Sequence, residues 1–208
     1  MSKLYFKFGA MASSKTANAL MTRFNYEEKG NHVWLIKPDL DNRDDYTDEN
    51  GVRVTVVKSR IGLSAVADVV GRDEDIHARF VALNEKQHID VIICDECQFL
   101  TAKQIDELRA IVNSHNIPVM CFGLRTDFRT KLFPGSLRLM ELADAIEEIK
   151  TMCDCGSKAT VNARINDGYI VTEGAQVVLG GNDCYIAMCH RCYVNGIREH
   201  KKIKLHGQ

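Results

Sequence analysis

The sequence holds three prolines and one tryptophan, and aromatic residues make up 7% of it. No apolar run approaches the roughly 18 to 20 residues needed to span a bilayer, so no membrane partner is expected. There is no internal repeat and no low-complexity tract, which excludes a repeat array or a linker-like chain. Charge of one sign is also missing. The formal net charge of −1 leaves neither a basic footprint for nucleic acid nor an acidic tail. The N-terminus MSKLYFKFGA lacks the long apolar core of a signal peptide, so a cytoplasmic protein is expected. With 45% hydrophobic and 26% charged residues, bulk disorder is excluded. The 208 residues suffice for one substantial core, or a core domain with a small appendage. Cysteine, by contrast, is abundant. Eight occur in a chain expected in a reducing compartment, where disulfides are rare.

The first 150 residues alternate apolar runs with helical stretches. Leu4–Phe8, Val33–Lys37, Val54–Val57, Ile89–Cys94, Ile117–Phe122 and Ala145–Ile149 read as strands. Thr16–Glu28, with Leu20, Met21 and Phe24 at helical spacing, reads as a helix. So do Asp73–Gln87 (Ile76, Phe80, Leu83) and Leu137–Leu142. Thr101–Asn113 does too, with a capping-box pair in Thr101 and Gln104 and a stripe of Ile105, Leu108 and Val112. This alternation predicts an α/β fold, a parallel sheet flanked by helices. After Lys150 the texture changes to short β-like segments (Thr160–Ile165, Tyr169–Val171, Gln176–Leu179), with six glycines between 156 and 196 and five of the eight cysteines. A domain boundary is expected near 150, giving an α/β unit over 1–150 and a small β-rich unit over 151–208.

Three motifs carry chemistry. Residues 9–16, GAMASSKT, follow a strand and open a helix. They match the phosphate cradle G-x-x-x-x-G-K-(S/T) except that Ser14 replaces the second glycine. Such a loop wraps phosphate oxygens with backbone N–H groups at a helix N-terminus, while Lys15 adds a charge and Thr16 a magnesium ligand. A capped helix start would also favour serine and threonine here. The buried run Ile89–Cys94 leads directly into Asp95-Glu96-Cys97-Gln98-Phe99. Acidic residues at the carboxyl end of a parallel strand suit magnesium and phosphate chemistry, although paired acids also cap helices. Finally, Cys153, Cys155, Cys189 and Cys192 form two close pairs, the pattern of a closed tetrahedral zinc site that holds structure. Cys94, Cys97 and Cys121 read as core residues, and Cys184 is expected outside the metal shell.

In order along the chain, FGAMASSKT, KPDLDNR (37–43), DECQF (95–99), GLRTDF and FPGS (123–136), CDCGSKA (153–159), GGNDCY (180–185) and CHRCY (189–193) together resemble the type II thymidine kinases. That family joins a P-loop NTPase-like domain to a zinc-bearing lasso domain, and the matching stretches cover nearly the whole chain. An ATP-binding domain over 1–150 and a lasso domain over 151–208 are therefore implied by the resemblance. The resemblance implies transfer of the ATP γ-phosphate to the 5′-hydroxyl of thymidine or deoxyuridine, giving dTMP and ADP in pyrimidine salvage. It places Glu96 as catalytic base, with Arg43 facing the phosphates and Asp41 as its companion. Gly9, Ala10, Met11, Ala12, Ser13, Ser14, Lys15 and Thr16 would cradle ATP, and Asp95 would join Thr16 around magnesium. Met11, Leu124, Phe128 and Phe133 would surround thymine, with Gln98 and Phe99 nearby and Asn162 at the pocket floor. Tyr185 and the lasso stretch of Gln176, Val177, Val178, Leu179 and Gly180 would close over the base. The resemblance also implies structural zinc, a homotetramer and feedback inhibition by dTTP.

The sequence departs from the family at Ser14 and in the tight Cys153-x-Cys155 pair. Just inside the helix start, Ser14 is expected to take ordinary helical dihedrals without backbone strain. Two other readings stand beside the kinase. One is a P-loop ATPase whose zinc module binds nucleic acid or protein as a switch. The other, motivated by Ser14 alone, is a silent relative kept for binding.

Overall fold

The computed structural model describes residues 1–42, 44–177 and 184–203. In chain order its elements are β1 (Leu4–Phe8), α1 (Lys15–Glu27), β2 (Val33–Pro38), β3 (Tyr46–Thr47), β4 (Arg53–Val54), β5 (Val56–Lys58), β6 (Ser64–Val66) and β7 (Asp68–Val70). There follow α2 (Ile76–Lys86), β8 (Val91–Cys94), a 3-10 turn (Cys97–Phe99), α3 (Ala102–His115), β9 (Val119–Gly123), α4 (Pro134–Leu142) and β10 (Ala145–Glu148). The C-terminal part contributes β11 (Val161–Asn166), β12 (Tyr169–Ile170), β13 (Cys184–Met188) and α5 (His190–Arg198).

Six strands form one parallel sheet in the order β10-β1-β9-β8-β2-β7. Because every strand points the same way, the loops after β1, β2, β8 and β9 leave from a single edge. That edge receives GAMASSKT, KPDLDNR, DECQF and GLRTDF. All four residues of β8 are buried, as expected of a strand covered on both faces. On one face Leu4, Phe6, Ile36 and Ile92 pack with Phe80, Leu108 and Leu139 from α2, α3 and α4. On the other, Leu35, Ile93 and Phe122 pack with Ala19 and Leu20 of α1 and Val57 of β5.

Local chemistry sets the element ends. Thr101 and Gln104 form the expected capping box at the start of α3. Asp75 caps α2 by accepting from the Ala78 amide at 2.8 Å, so this helix begins at Ile76 rather than Asp73. α4 begins at Pro134, whose fixed φ suits the first helical turn. In α1 the expected stripe is displaced. Leu20 is buried, but Met21 and Phe24 are exposed, because the helix lies on the sheet through Ala17, Ala19 and Leu20. The expected strand over 54–57 is divided between two small antiparallel sheets, β3-β4 and β5-β6.

The C-terminal region is β-rich, with a three-stranded antiparallel sheet in the order β12-β11-β13. Val161, Ala163, Ile165, Met188 and Tyr193 make its own core beside Cys153 and Cys189. Gln176 and Val177, expected in a strand, lie outside any strand. α5 was not legible in the sequence. No described helix is long and apolar enough to cross a membrane.

Candidate active site and metal centre

The carboxyl edge of the sheet opens into a cavity of about 690 Å³, within the range of roughly 300–1,000 Å³ usual for ligand sites. On its walls lie Met11, Ala12, Ser13, Ser14, Lys15 and Thr16 from the first loop, Asp41 after β2, and Glu96, Gln98 and Phe99 after β8. Leu124, Phe128 and Phe133 after β9 join them, with Asn162, Gln176, Val177 and Tyr185 from the C-terminal region. Gly9 and Ala10 form the base of the loop, behind the wall. Arg43, Val178, Leu179 and Gly180 lie outside the described residues.

The loop after β1 folds around its own lysine. Lys15 Nζ donates to Ala10 O at 2.9 Å and Ser13 Oγ at 3.3 Å, and burial lowers its affinity for a proton. Ser14 does not take helical dihedrals. It caps α1 at φ 60°, ψ 27°, in the left-handed region, and its side chain caps nothing. The reason is positional. The N-caps of the other α-helices, Asp75, Thr101, Phe133 and Cys189, are extended. The left-handed turn therefore belongs to the tight loop around Lys15 rather than to helix starts in general, and it is a conformation that glycine adopts without cost. Ala12 is left-handed as well, at φ 60°.

Asp95 sits behind Thr16, almost fully buried, and shares a hydrogen bond with the Thr16 side chain. Burial, reinforced by the Glu96 charge, pushes its carboxyl up to about 7. A buried carboxylate beside a hydroxyl has the donor chemistry of a magnesium site, since a cation would supply the charge that this pair lacks. Glu96 lies on a left-handed residue at φ 51°, ψ 34°, which turns its side chain into the cavity. Gln98 holds it there. Its Nε2 donates to Glu96 Oε2 at 2.5 Å while its Oε1 accepts from the Leu124 amide at 2.9 Å. Two close approaches make room for this turn. A Cβ on Gly123 would lie 2.5 Å from Gln98 Oε1, and one on Gly135 would lie 2.6 Å from Cys97 O.

The apolar side of the cavity is built on aromatic rings. Phe99 and Phe133 meet edge to face at 5.7 Å, and Phe128 lies under the guanidinium groups of Arg129 and Arg164 at 5.4 and 5.3 Å. Asn162 joins the two halves of the site. Its Oδ1 accepts from the Met11 amide at 2.7 Å, and its Nδ2 donates to Thr126 O at 3.0 Å.

Several wall residues were not among the expected site residues: Leu40 inside KPDLDNR, Thr126 and Asp127 inside GLRTDF, and Asp44, Lys58, Ser59 and Arg60 outside every motif. Asp127 is the most engaged of them. It accepts from the Arg129 and Lys131 amides at 2.8 and 2.9 Å, and from Gln176 Nε2 at 3.2 Å. Its place between Leu124 and Phe128 in GLRTDF was the signal available.

In the third motif, Cys153, Cys155, Cys189 and Cys192 bring their sulfurs within 4.8 Å of one another. Cys155 and Cys189 stand 3.6 Å apart, against roughly 3.8 Å for the edge of a tetrahedron of thiolates about 2.3 Å from zinc. Hydrogen bonds from Ser157 hold the Cys155 thiol down to about 6, and crowding against Cys189 pushes Cys192 up to about 12. Four cysteine sulfurs this close have the donor set of a closed structural metal site. Cys184 lies outside the group, and Cys94, Cys97 and Cys121 are core residues, as expected.

A family model described as thymidine kinase matches residues 2–193. The chain belongs to the thymidine kinase family. Among similar proteins, the thymidine kinase of Blochmanniella pennsylvanica is 41% identical over 195 residues, covering 93% of this chain and 92% of the relative. That of Yersinia pestis is 39% identical over 199 residues, with 95% and 97% covered. That of Streptococcus pyogenes serotype M3 is 41% identical over 196 residues, with 94% and 98% covered. The cavity and the four-cysteine cluster of this thymidine kinase family member both fall inside the matched span.

Proposed function

We propose that this protein transfers the γ-phosphate of ATP to the 5′-hydroxyl of thymidine or deoxyuridine, giving dTMP and ADP in pyrimidine salvage. The observation that carries this reading is a single cavity joining Lys15 and Thr16, the Glu96 carboxylate and an aromatic wall, on a chain of the thymidine kinase family.

Phosphoryl transfer asks the protein mainly for alignment and charge neutralisation. The nucleoside lies against Phe128 and Phe133, with Leu124 and Met11 beside the ring. Glu96, oriented by Gln98, accepts the 5′-hydroxyl proton as that oxygen bonds to the γ-phosphorus. The bond from the γ-phosphorus to the bridging oxygen breaks, and ADP leaves with its electron pair. Lys15, a buried ammonium with neutral acceptors, gains most from a phosphate oxygen. Arg43 adds a second charge by resemblance. Thr16 and Asp95 would hold magnesium, which when bound neutralises the phosphate oxygens.

The division near Lys150 belongs to the same reading, with an ATP-binding domain over 1–150 and a zinc-bearing lasso domain over 151–208 that closes over the nucleoside. Asn162, Gln176, Val177 and Tyr185 on the cavity wall support it. Zinc in the four-cysteine cluster, a cytoplasmic homotetramer and feedback inhibition by dTTP complete the proposal by resemblance.

The test is an assay with ATP, magnesium and a panel of nucleosides, following monophosphate directly. Thymidine or deoxyuridine should be phosphorylated. No monophosphate from either, with ATP hydrolysed on adding DNA, would favour the ATPase switch instead.

A further inference from the structure

The phosphate side of the cavity carries a positive group that neither GAMASSKT nor DECQF accounts for. Between β5 and β6 the chain turns through Ser59-Arg60-Ile61-Gly62. Ser59 Oγ donates to Leu63 O at 3.1 Å and accepts from the Leu63 amide at 3.0 Å, and the Gly62 amide donates to Ser59 O at 3.1 Å. Val57, just before the turn, is buried with Ala19 and Leu20 of α1. The hairpin is thus anchored on the helix that the phosphate cradle opens, and its tip is fixed by its own hydrogen bonds.

Arg60 stands on this tip and lines the same cavity as Lys15 and Glu96. Among the described residues it makes no hydrogen bond or ion pair. Arg23, Arg53, Arg79, Arg109, Arg129 and Arg138, by contrast, each hold a carboxylate. Its charge lies near enough to Lys15 to oppose that lysine's protonated form. Two cations facing one cavity repel each other until an anion lies between them. A guanidinium offers phosphate two parallel N–H donors, which a lysine cannot.

We propose that Arg60 is a second nucleotide-phosphate ligand, binding the polyphosphate of ATP from the β5–β6 hairpin while Lys15 binds it from the loop after β1. This rests on the reading of GAMASSKT as an ATP cradle. The role is separate from that of Arg43, which the family resemblance supplies.

The test measures binding of β,γ-methylene-ATP with magnesium, of adenosine and of thymidine to the full chain and its variants. R60A should weaken binding of the analogue at least tenfold and leave adenosine and thymidine unchanged. R60K should recover part of the loss, and R60E should bind more weakly than R60A. Wild-type affinity in R60A while K15A loses the analogue would overturn the proposal and leave the cradle standing. Wild-type affinity in K15A would overturn the cradle itself. Equal losses for adenosine or thymidine, or no further loss in R60E, would show that distortion rather than phosphate charge is responsible, and the proposal would fail. The near-ultraviolet spectrum of each variant reports folding, which replacing an exposed arginine on a hairpin tip should not disturb.

Discussion

In left-handed backbone a side chain crowds its own carbonyl, at a cost of roughly 1–2 kcal/mol that glycine escapes. Ser14 accepts this crowding at φ 60°, beside the lysine of the phosphate cradle, and its hydroxyl makes no capping bond in return. Glycine would relieve it but would also loosen the unfolded chain, so Ser14→Gly should stabilise the protein by about 0.5–1 kcal/mol, read by chemical denaturation. Turnover should not fall. A tenfold drop in kcat/KM for ATP would mean that the hydroxyl serves the nucleotide. At this scale the sequence showed which residue departs from the motif but not the departure's backbone conformation. Ordinary helical dihedrals were expected because Ser14 adjoins a helix, whereas a cap position obeys the turn and not the helix. Glu96, Gln98, Phe128 and Phe133 were legible because they sit in motifs. Arg60 and Lys58 were not, because a hairpin tip of Ser, Arg, Ile and Gly has no motif to mark it.

Elements meet at points where one charged side chain ties several of them. Asp144, before β10, accepts from the Leu4 amide at 2.8 Å and pairs with Arg109 of α3. The amide bond and the guanidinium hold its carboxyl below the usual aspartate range. A carboxyl lowered on folding stabilises above its unfolded pKa near 4, and that contribution is lost as pH falls through the lower folded value. D144N should therefore cost on the order of 1 kcal/mol at pH 7, allowing for partial exposure. Wild type and variant should converge as pH falls through the lowered folded value. Acid titration of urea midpoints checks this, and a gap that persists at low pH would contradict it. Helix α3 was readable because its capping box and stripe agree, as Thr101, Gln104, Ile105, Leu108 and Val112 all fall where the pattern puts them. Helix α5 was not. Its nine residues begin inside the metal motif, and only Tyr193 and Gly196 are buried, so no stripe announced it. The short edge strand β7 was also missed, because three residues after a hairpin carry too little periodicity.

Across the whole molecule, several polar links tie the C-terminal region to the loops of the cavity, among them the Tyr193 hydroxyl, which donates to Phe128 O at 2.8 Å. Asn162, on β11 beyond the expected boundary, bonds the Met11 amide of the phosphate loop and the Thr126 carbonyl after β9. Loss of order around the cysteine cluster should therefore reach the nucleotide site. We expect one zinc per chain by elemental analysis. Its removal by a chelator should melt β11–β13 and α5 and weaken nucleotide binding as well. Retained nucleotide affinity in the metal-free protein would separate the two halves. The central claim is that this cavity moves a phosphoryl group from ATP to a nucleoside with Glu96 as the base. The most direct measurement follows the labelled γ-phosphate of ATP into dTMP, with wild type beside E96Q and with binding of both substrates recorded. Labelled dTMP is expected from the wild type, with a rate lower by about 10²–10⁴-fold in E96Q and both affinities kept. Near-wild-type transfer by E96Q, or no label in dTMP from the wild type, would contradict that claim.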